Sequence, residues 1–132
     1  MIVGSGVDVI EIARMESALR RRGERFEARV FTLEEISACR GRPAAVMQFA
    51  VRFAAKEAAM KAVGTGWARG VTWHDIESVA QPRGASFGPW LLNLYGRAGE
   101  IARELGVNRV HLATARSRTH AMAMVLLETP DP

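Results

Sequence analysis

The 132-residue chain has a single cysteine, Cys39. That excludes an internal disulfide and suits a reducing cytosol. No apolar run approaches the roughly 18–20 residues that cross a bilayer. The N-terminus lacks the basic-then-apolar build of a secretory signal, so the expected location is cytoplasmic. Low-complexity tracts and internal repeats are missing too. Aromatic residues make up only 7% of the chain, which leaves few rings for stacking nucleobases. Acidic side chains number 14 against 18 basic ones, a formal charge of +4. This deficit points to an acidic partner, protein or nucleic acid. The length fits one domain with a real core, expected over 1–128, with 129–132 as a frayed tail.

What is present is concentrated in Arg52–Gly66, RFAAKEAAMKAVGTG. It closes a helical pattern that begins just after Pro43 and stops at Gly64, about 30 Å of helix. Phe53, Glu57 and Lys61 recur every four residues and share one helix face. Arg52 and Lys56 form a second basic row beside them. The carboxylate suits a hard cation, and the ammonium and glycine-rich backbone suit phosphate oxygens. A solvent-facing ion pair followed by an ordinary glycine stop fits the same letters.

A second stretch, Ile2–Ile10, alternates with a strand period. Asp8 shares its face with Gly4 and Gly6. Glycine inside a strand marks close approach of a ligand or another backbone, and a carboxylate on an otherwise apolar strand needs a partner. A displaced helix cap is the plainer alternative for Asp8.

Together, G-x-D-x-x-x-x-x-R (Gly6, Asp8, Arg14) and the Arg52–Gly66 motif resemble the holo-acyl-carrier-protein synthase family, short-chain 4′-phosphopantetheinyl transferases. The resemblance runs from about Ile2 to Glu128. It implies an α+β fold in which an antiparallel sheet packs against a long central helix. The implied activity is magnesium-dependent transfer of 4′-phosphopantetheine from coenzyme A to a serine of apo-acyl carrier protein, with release of 3′,5′-ADP. Asp8 and Glu57 would be the metal carboxylates and, with Lys61, the catalytic set. Arg52, Lys61, Gly64, Thr65, Gly66 and His111 would contact the coenzyme. Arg14, Arg21, Arg25 and Phe26 would dock the acidic carrier. The family's habit is a homotrimer with active sites between chains. One departure stands out: Ala115-Arg116 replaces a hydroxyl residue followed by His, which leaves the grip on the adenosine phosphate in question.

Elsewhere, Ile12–Arg22 reads as a helix with Ile12, Met15 and Leu19 as its apolar stripe. Thr32–Glu35 reads as a capping box opening a short helix that ends near Gly41. Met47, Ala50, Ala54 and Ala58 read as core. Val71–Val79 is expected to be a strand that includes His74 and Asp75. Pro82–Pro89 reads as a mobile turn, Trp90–Tyr95 as a strand and Gly96–Leu105 as a helix. Val110–Ala115 and Ala121–Leu127 read as a hairpin. Two rival functions remain open: a basic nucleic-acid-binding module led by the Arg20–Arg25 cluster, and a coenzyme A-binding relative without transferase activity.

Overall fold

The computed structural model describes residues 1–64, 66–81 and 90–132. Thr65 and the expected turn at 82–89 lie outside the described residues. The chain opens with β1 (Ile2–Glu11), then α1 (Ile12–Arg22), α2 (Glu24–Val30), α3 (Leu33–Cys39) and the long α4 (Ala45–Val63). Short 3₁₀ turns at Gly66–Arg69 and Trp73–Asp75 lead into β2 (Ile76–Ala80), followed by β3 (Trp90–Leu94), α5 (Gly96–Glu104), β4 (Arg109–Arg116) and β5 (His120–Glu128). The strands form an antiparallel sheet of order β1-β5-β4 and a separate β2-β3 ladder. The class is α+β, with the sheet against a central helix, as expected.

Helix α4 is apolar on nearly every side because it is buried on nearly every side. One core, with Ala58, Ala62, Ile76, Ile101, Val125 and Leu127, lies between α4, the strands and α5. A second, with Met15, Val30, Phe31, Ile36 and Phe49, lies between the first half of α4 and α1–α3. The inward face of β1 carries Gly4, Gly6, Asp8 and Ile10. A Cβ at Gly6 would stand 1.9 Å from the Ala58 carbonyl oxygen, and one at Gly4 2.4 Å from that of Ala62. The glycines therefore admit the helix backbone itself.

A polar knot ties three elements together inside the molecule. Thr32 and Glu35 form the expected capping box, with Glu35 N donating to Thr32 Oγ1 at 3.2 Å and Thr32 N to Glu35 Oε1 at 3.0 Å. Lys56 Nζ, fully buried, donates to Glu35 Oε1 at 2.6 Å and to the Ile76 carbonyl at 2.5 Å. Arg52 and Lys56 thus form an internal row facing α3 and β2. Burial pulls the Lys56 ammonium below its ordinary range, and Glu35 works against that.

Two expectations need correction. The segment before Ile76 is a 3₁₀ turn, because the Asp75 carboxylate accepts from Thr72 N (3.2 Å) and Thr72 Oγ1 (3.0 Å) and curls the chain. His74 and Asp75 therefore precede β2. Between Gly23 and Phe31, where the sequence pattern assigns no element, α2 sets Phe26 and Val30 one turn apart facing the core. Thr129 is not frayed: its N–H donates to the Met1 carbonyl (2.8 Å), and the Met1 amine donates back to Thr129 O (2.7 Å). No helix among the described residues is long and apolar enough to cross a membrane.

Candidate active site

Strand β1 and helix α4 place side chains from the two ends of the first half of the chain side by side. Asp8 follows the glycines that let α4 in close. Glu57 and Lys61 sit one turn apart on the helix face that looks back at it. Lys61 Nζ donates to Asp8 Oδ1 at 3.0 Å and to the Val7 carbonyl at 2.9 Å. The Asp8 side chain is 13% exposed and that of Lys61 54%. Asp8 and Glu57 line one cleft of about 380 Å³, together with Arg14, Met15, Phe26 and Phe53. Burial pushes the Glu57 carboxyl above its ordinary range. The Asp8 charge adds to the shift and Lys61 opposes it.

The two acids lie in one cleft with Lys61 on Asp8 and Arg14 in the same lining, and their oxygens match a hard cation. Among the described residues no group of three or more His, Cys, Asp or Glu gathers to hold a metal, here or elsewhere, so the cleft offers a pair of carboxylates. A carboxylate pair suits magnesium, which keeps waters and substrate phosphates in its remaining positions.

A second, larger cleft of about 730 Å³ adjoins the first and shares Phe26 and Phe53 with it. Arg21, Arg22, Arg25 and Arg29 line it, and Trp73 completes its wall. The rings form a continuous run, with Phe26 6.5 Å from Phe53, and Phe53 stacked on Trp73 at 5.3 Å. The expected docking residues thus divide: Arg14 faces the carboxylate cleft, Arg21 and Arg25 the arginine cleft, and Phe26 both. Sequence reasoning gave no role to Phe53, although it lies one turn before Glu57 on the same face. Trp73, distant in sequence, carried no such signal.

The expected coenzyme residues scatter. Gly64 holds φ +78°, and nothing lies within 4 Å of where a Cβ would stand there, so conformation rather than space calls for glycine. Gly66 opens a 3₁₀ turn, and Thr65 lies outside the described residues. Arg52 is a correction. Its guanidinium is buried, donates to Ser78 O (2.7 Å) and Ser78 Oγ (2.9 Å), and lies 4.3 Å over the Trp90 ring. Within the chain it faces the interior, held on Ser78. His111 bonds Glu128 Oε2 at 2.6 Å, which holds that carboxyl below its ordinary range. Val110 and Leu112 beside it turn to the core, so His111 is on the outer face of the sheet, opposite α4. Within one chain it does not join Asp8 and Glu57.

The family model for the 4′-phosphopantetheinyl transferase superfamily matches residues 4–122. A holo-[acyl-carrier-protein] synthase of Koribacter versatilis is 44% identical over 128 residues, covering 97% of this chain and 99% of that protein. One from Alkalilimnicola ehrlichii is 45% identical over 132 residues, covering 99% of this chain and 100% of that protein. Among solved structures, the synthase of Neisseria meningitidis superposes with a TM-score of 0.84 at 29% identity, covering 98% of this chain and all of that one. That of Bacillus anthracis, in complex with CoA (3′,5′-ADP), gives 0.79 at 35% identity over 98% of this chain and 99% of that one. With two chain-distant motifs converging on one acidic cleft and likeness over nearly its whole length, the chain belongs to the holo-[acyl-carrier-protein] synthase family of 4′-phosphopantetheinyl transferases.

Proposed function

We propose that this chain moves 4′-phosphopantetheine from coenzyme A to a serine hydroxyl of an apo-acyl carrier protein, with magnesium. The observation that carries it is the meeting of Asp8 and Glu57 in one cleft, with Lys61 bonded to Asp8, beside an arginine-lined cleft. In the reaction, the serine oxygen bonds to the phosphorus carrying pantetheine. The bond from that phosphorus to the bridging oxygen breaks, and 3′,5′-ADP leaves. Glu57, directly or through a bound water, takes the serine proton, with Asp8 as the alternative base. Asp8 and Glu57 would hold Mg²⁺, which when bound supplies positive charge to the diphosphate oxygens. Lys61 is largely solvent-open and its pair with Asp8 is weak, so it can turn to the diphosphate as charge develops. Gly64, Thr65 and Gly66 supply backbone to the coenzyme.

The carrier docks on the arginine cleft. Arg14, Arg21 and Arg25 meet its acidic surface, and Phe26 and Phe53 receive an apolar side chain. The outer sheet face offers an apolar surface for association with further copies, in our reading as a homotrimer. Val9 there is 56% exposed, Val7 47%, and Met122 and Met124 follow at 38% and 39%. A neighbouring copy covering this apolar face would also bring His111 to a cleft that it cannot reach in its own chain.

The test is mass spectrometry of an apo-acyl carrier protein incubated with this protein, coenzyme A and Mg²⁺. The expected result is a mass gain of one phosphopantetheine arm, lost when Mg²⁺ is chelated. An unmodified carrier with coenzyme A bound would instead identify a relative that binds without transferring. Tight, salt-sensitive nucleic-acid binding with no affinity for coenzyme A would overturn the reading.

A further inference from the structure

We propose that the buried Glu35–Lys56 ion pair is the positioning device of the carboxylate cleft, setting the roll and register of α4 and hence where Glu57 stands relative to Asp8. The proposal rests on the reading of Asp8 and Glu57 as cation ligands. Both members of the pair are fully buried, yet neither touches the cleft.

Against β1, α4 packs through small residues, and only the half-exposed Lys61 reaches across to hydrogen-bond the strand. Ala58 and Ala62 lie against Gly6 and Gly4 so closely that no Cβ fits between them. Side-chain ridges seated in grooves normally fix how two elements cross, and an alanine face on glycine has almost none. That contact tolerates rolling and sliding. The opposite side is directional. Lys56 Nζ bridges Glu35 Oε1 (2.6 Å) and the Ile76 carbonyl (2.5 Å). Glu35 Oε2 accepts from Ser78 N (3.0 Å) and Ser78 Oγ (2.7 Å). One turn earlier, Arg52 reaches Ser78 O at 2.7 Å. Charge-assisted hydrogen bonds with narrow angular limits therefore clamp α4 to α3 and β2.

Stability does not account for such a pair, because a buried ion pair is often no better than an apolar replacement. Its best-attested use is to specify register. Lys56 immediately precedes Glu57, so the clamp acts next to the functional carboxylate. With side chains about 5–6 Å from the helix axis, a roll of about 20° moves the Glu57 carboxylate by about 2 Å. Displacements of about 1 Å in a catalytic group cost about 100-fold in rate.

The test replaces the pair together, Glu35→Gln with Lys56→Met, in the full chain, which removes both charges of the pair and leaves Arg52 on its Ser78 hydrogen bonds. Folding is followed by thermal unfolding, and Mn²⁺ binding by the electron paramagnetic resonance of free Mn²⁺, with no substrate present. The expected result is a folded protein whose Mn²⁺ dissociation constant rises about tenfold or more, as for other residues that orient metal ligands. The Mg²⁺ concentration for half-maximal transfer should rise in parallel. A merely structural role would lower the unfolding temperature and leave both constants unchanged. Should the double variant fail to fold, Ser78→Ala keeps both charges and should still weaken Mn²⁺ binding about threefold. Wild-type Mn²⁺ affinity in a folded variant, with Asp8→Asn abolishing binding, overturns this proposal alone. No Asp8-dependent Mn²⁺ binding in the wild type overturns the cation reading and this proposal with it.

Discussion

Glu57 pays for its place in the cleft with a carboxyl that holds its proton more tightly than an exposed one. The folded chain therefore binds that proton more strongly than the unfolded chain. Metal-free stability should fall as pH rises from the ordinary glutamate range through the raised value, and level off above it. Glu57→Gln removes this dependence. At pH 7 without metal it should unfold at a higher temperature than wild type, while kcat for transfer falls about 10²–10⁴-fold. Differential scanning calorimetry across pH and single-turnover kinetics read the two effects. An unchanged kcat would remove Glu57 from the chemistry. Gly6 makes the opposite case, important for packing alone. Gly6→Ala drives a methyl into the Ala58 carbonyl, 1.9 Å from the new carbon, with backbone rather than a flexible side chain in the way. Destabilisation should reach about 4 kcal/mol or more in urea unfolding.

At the scale of elements, α1 and α2 form a basic wall beside the cleft. Arg21→Glu with Arg25→Glu should raise KM for the carrier about tenfold while changing kcat less than about twofold. The difference should shrink as salt screens the encounter, which steady-state kinetics at two ionic strengths would show. Element boundaries were legible wherever periodicity or capping chemistry was local. The capping box at Thr32, the stripe Ile12–Met15–Leu19 and the alternation of β5 all appear where their letters put them. The strand expected from Val71 failed because Asp75 draws the chain into a turn, which alternation alone does not reveal. Lys56 and Arg52 were misleading for another reason. A basic letter in a helix reads as surface until its buried partners, Glu35 and Ser78, are known, and those lie 21 and 26 residues away. The pairing of Asp8 with Lys61 across 53 residues was reachable only through a two-part motif.

For the whole molecule, the question is what covers the outer face of the β1-β5-β4 sheet. Val7 pairs with Met124 and Val9 with Met122, so the four side chains form one apolar patch beside Ala113 and Ala115 of β4. In the proposed assembly, a neighbouring copy covers this patch. If three copies bury it, Val9→Asp should release the 14.5 kDa chain as a monomer in light scattering and abolish transfer with the fold intact. Complementation then separates shared sites from mere assembly. Asp8→Asn removes the carboxylate side of each site, and His111→Ala removes a side chain that its own chain keeps on the far face. Each variant alone should be nearly inactive. Unfolded and refolded together in equal amounts, a closed ring pairs an intact Asp8 with a neighbour's intact His111 at about one site in four. Recovery of about a quarter of wild-type activity is therefore expected on mixing. A mixture no more active than its parts would mean that each chain completes its own site, and that His111 acts elsewhere.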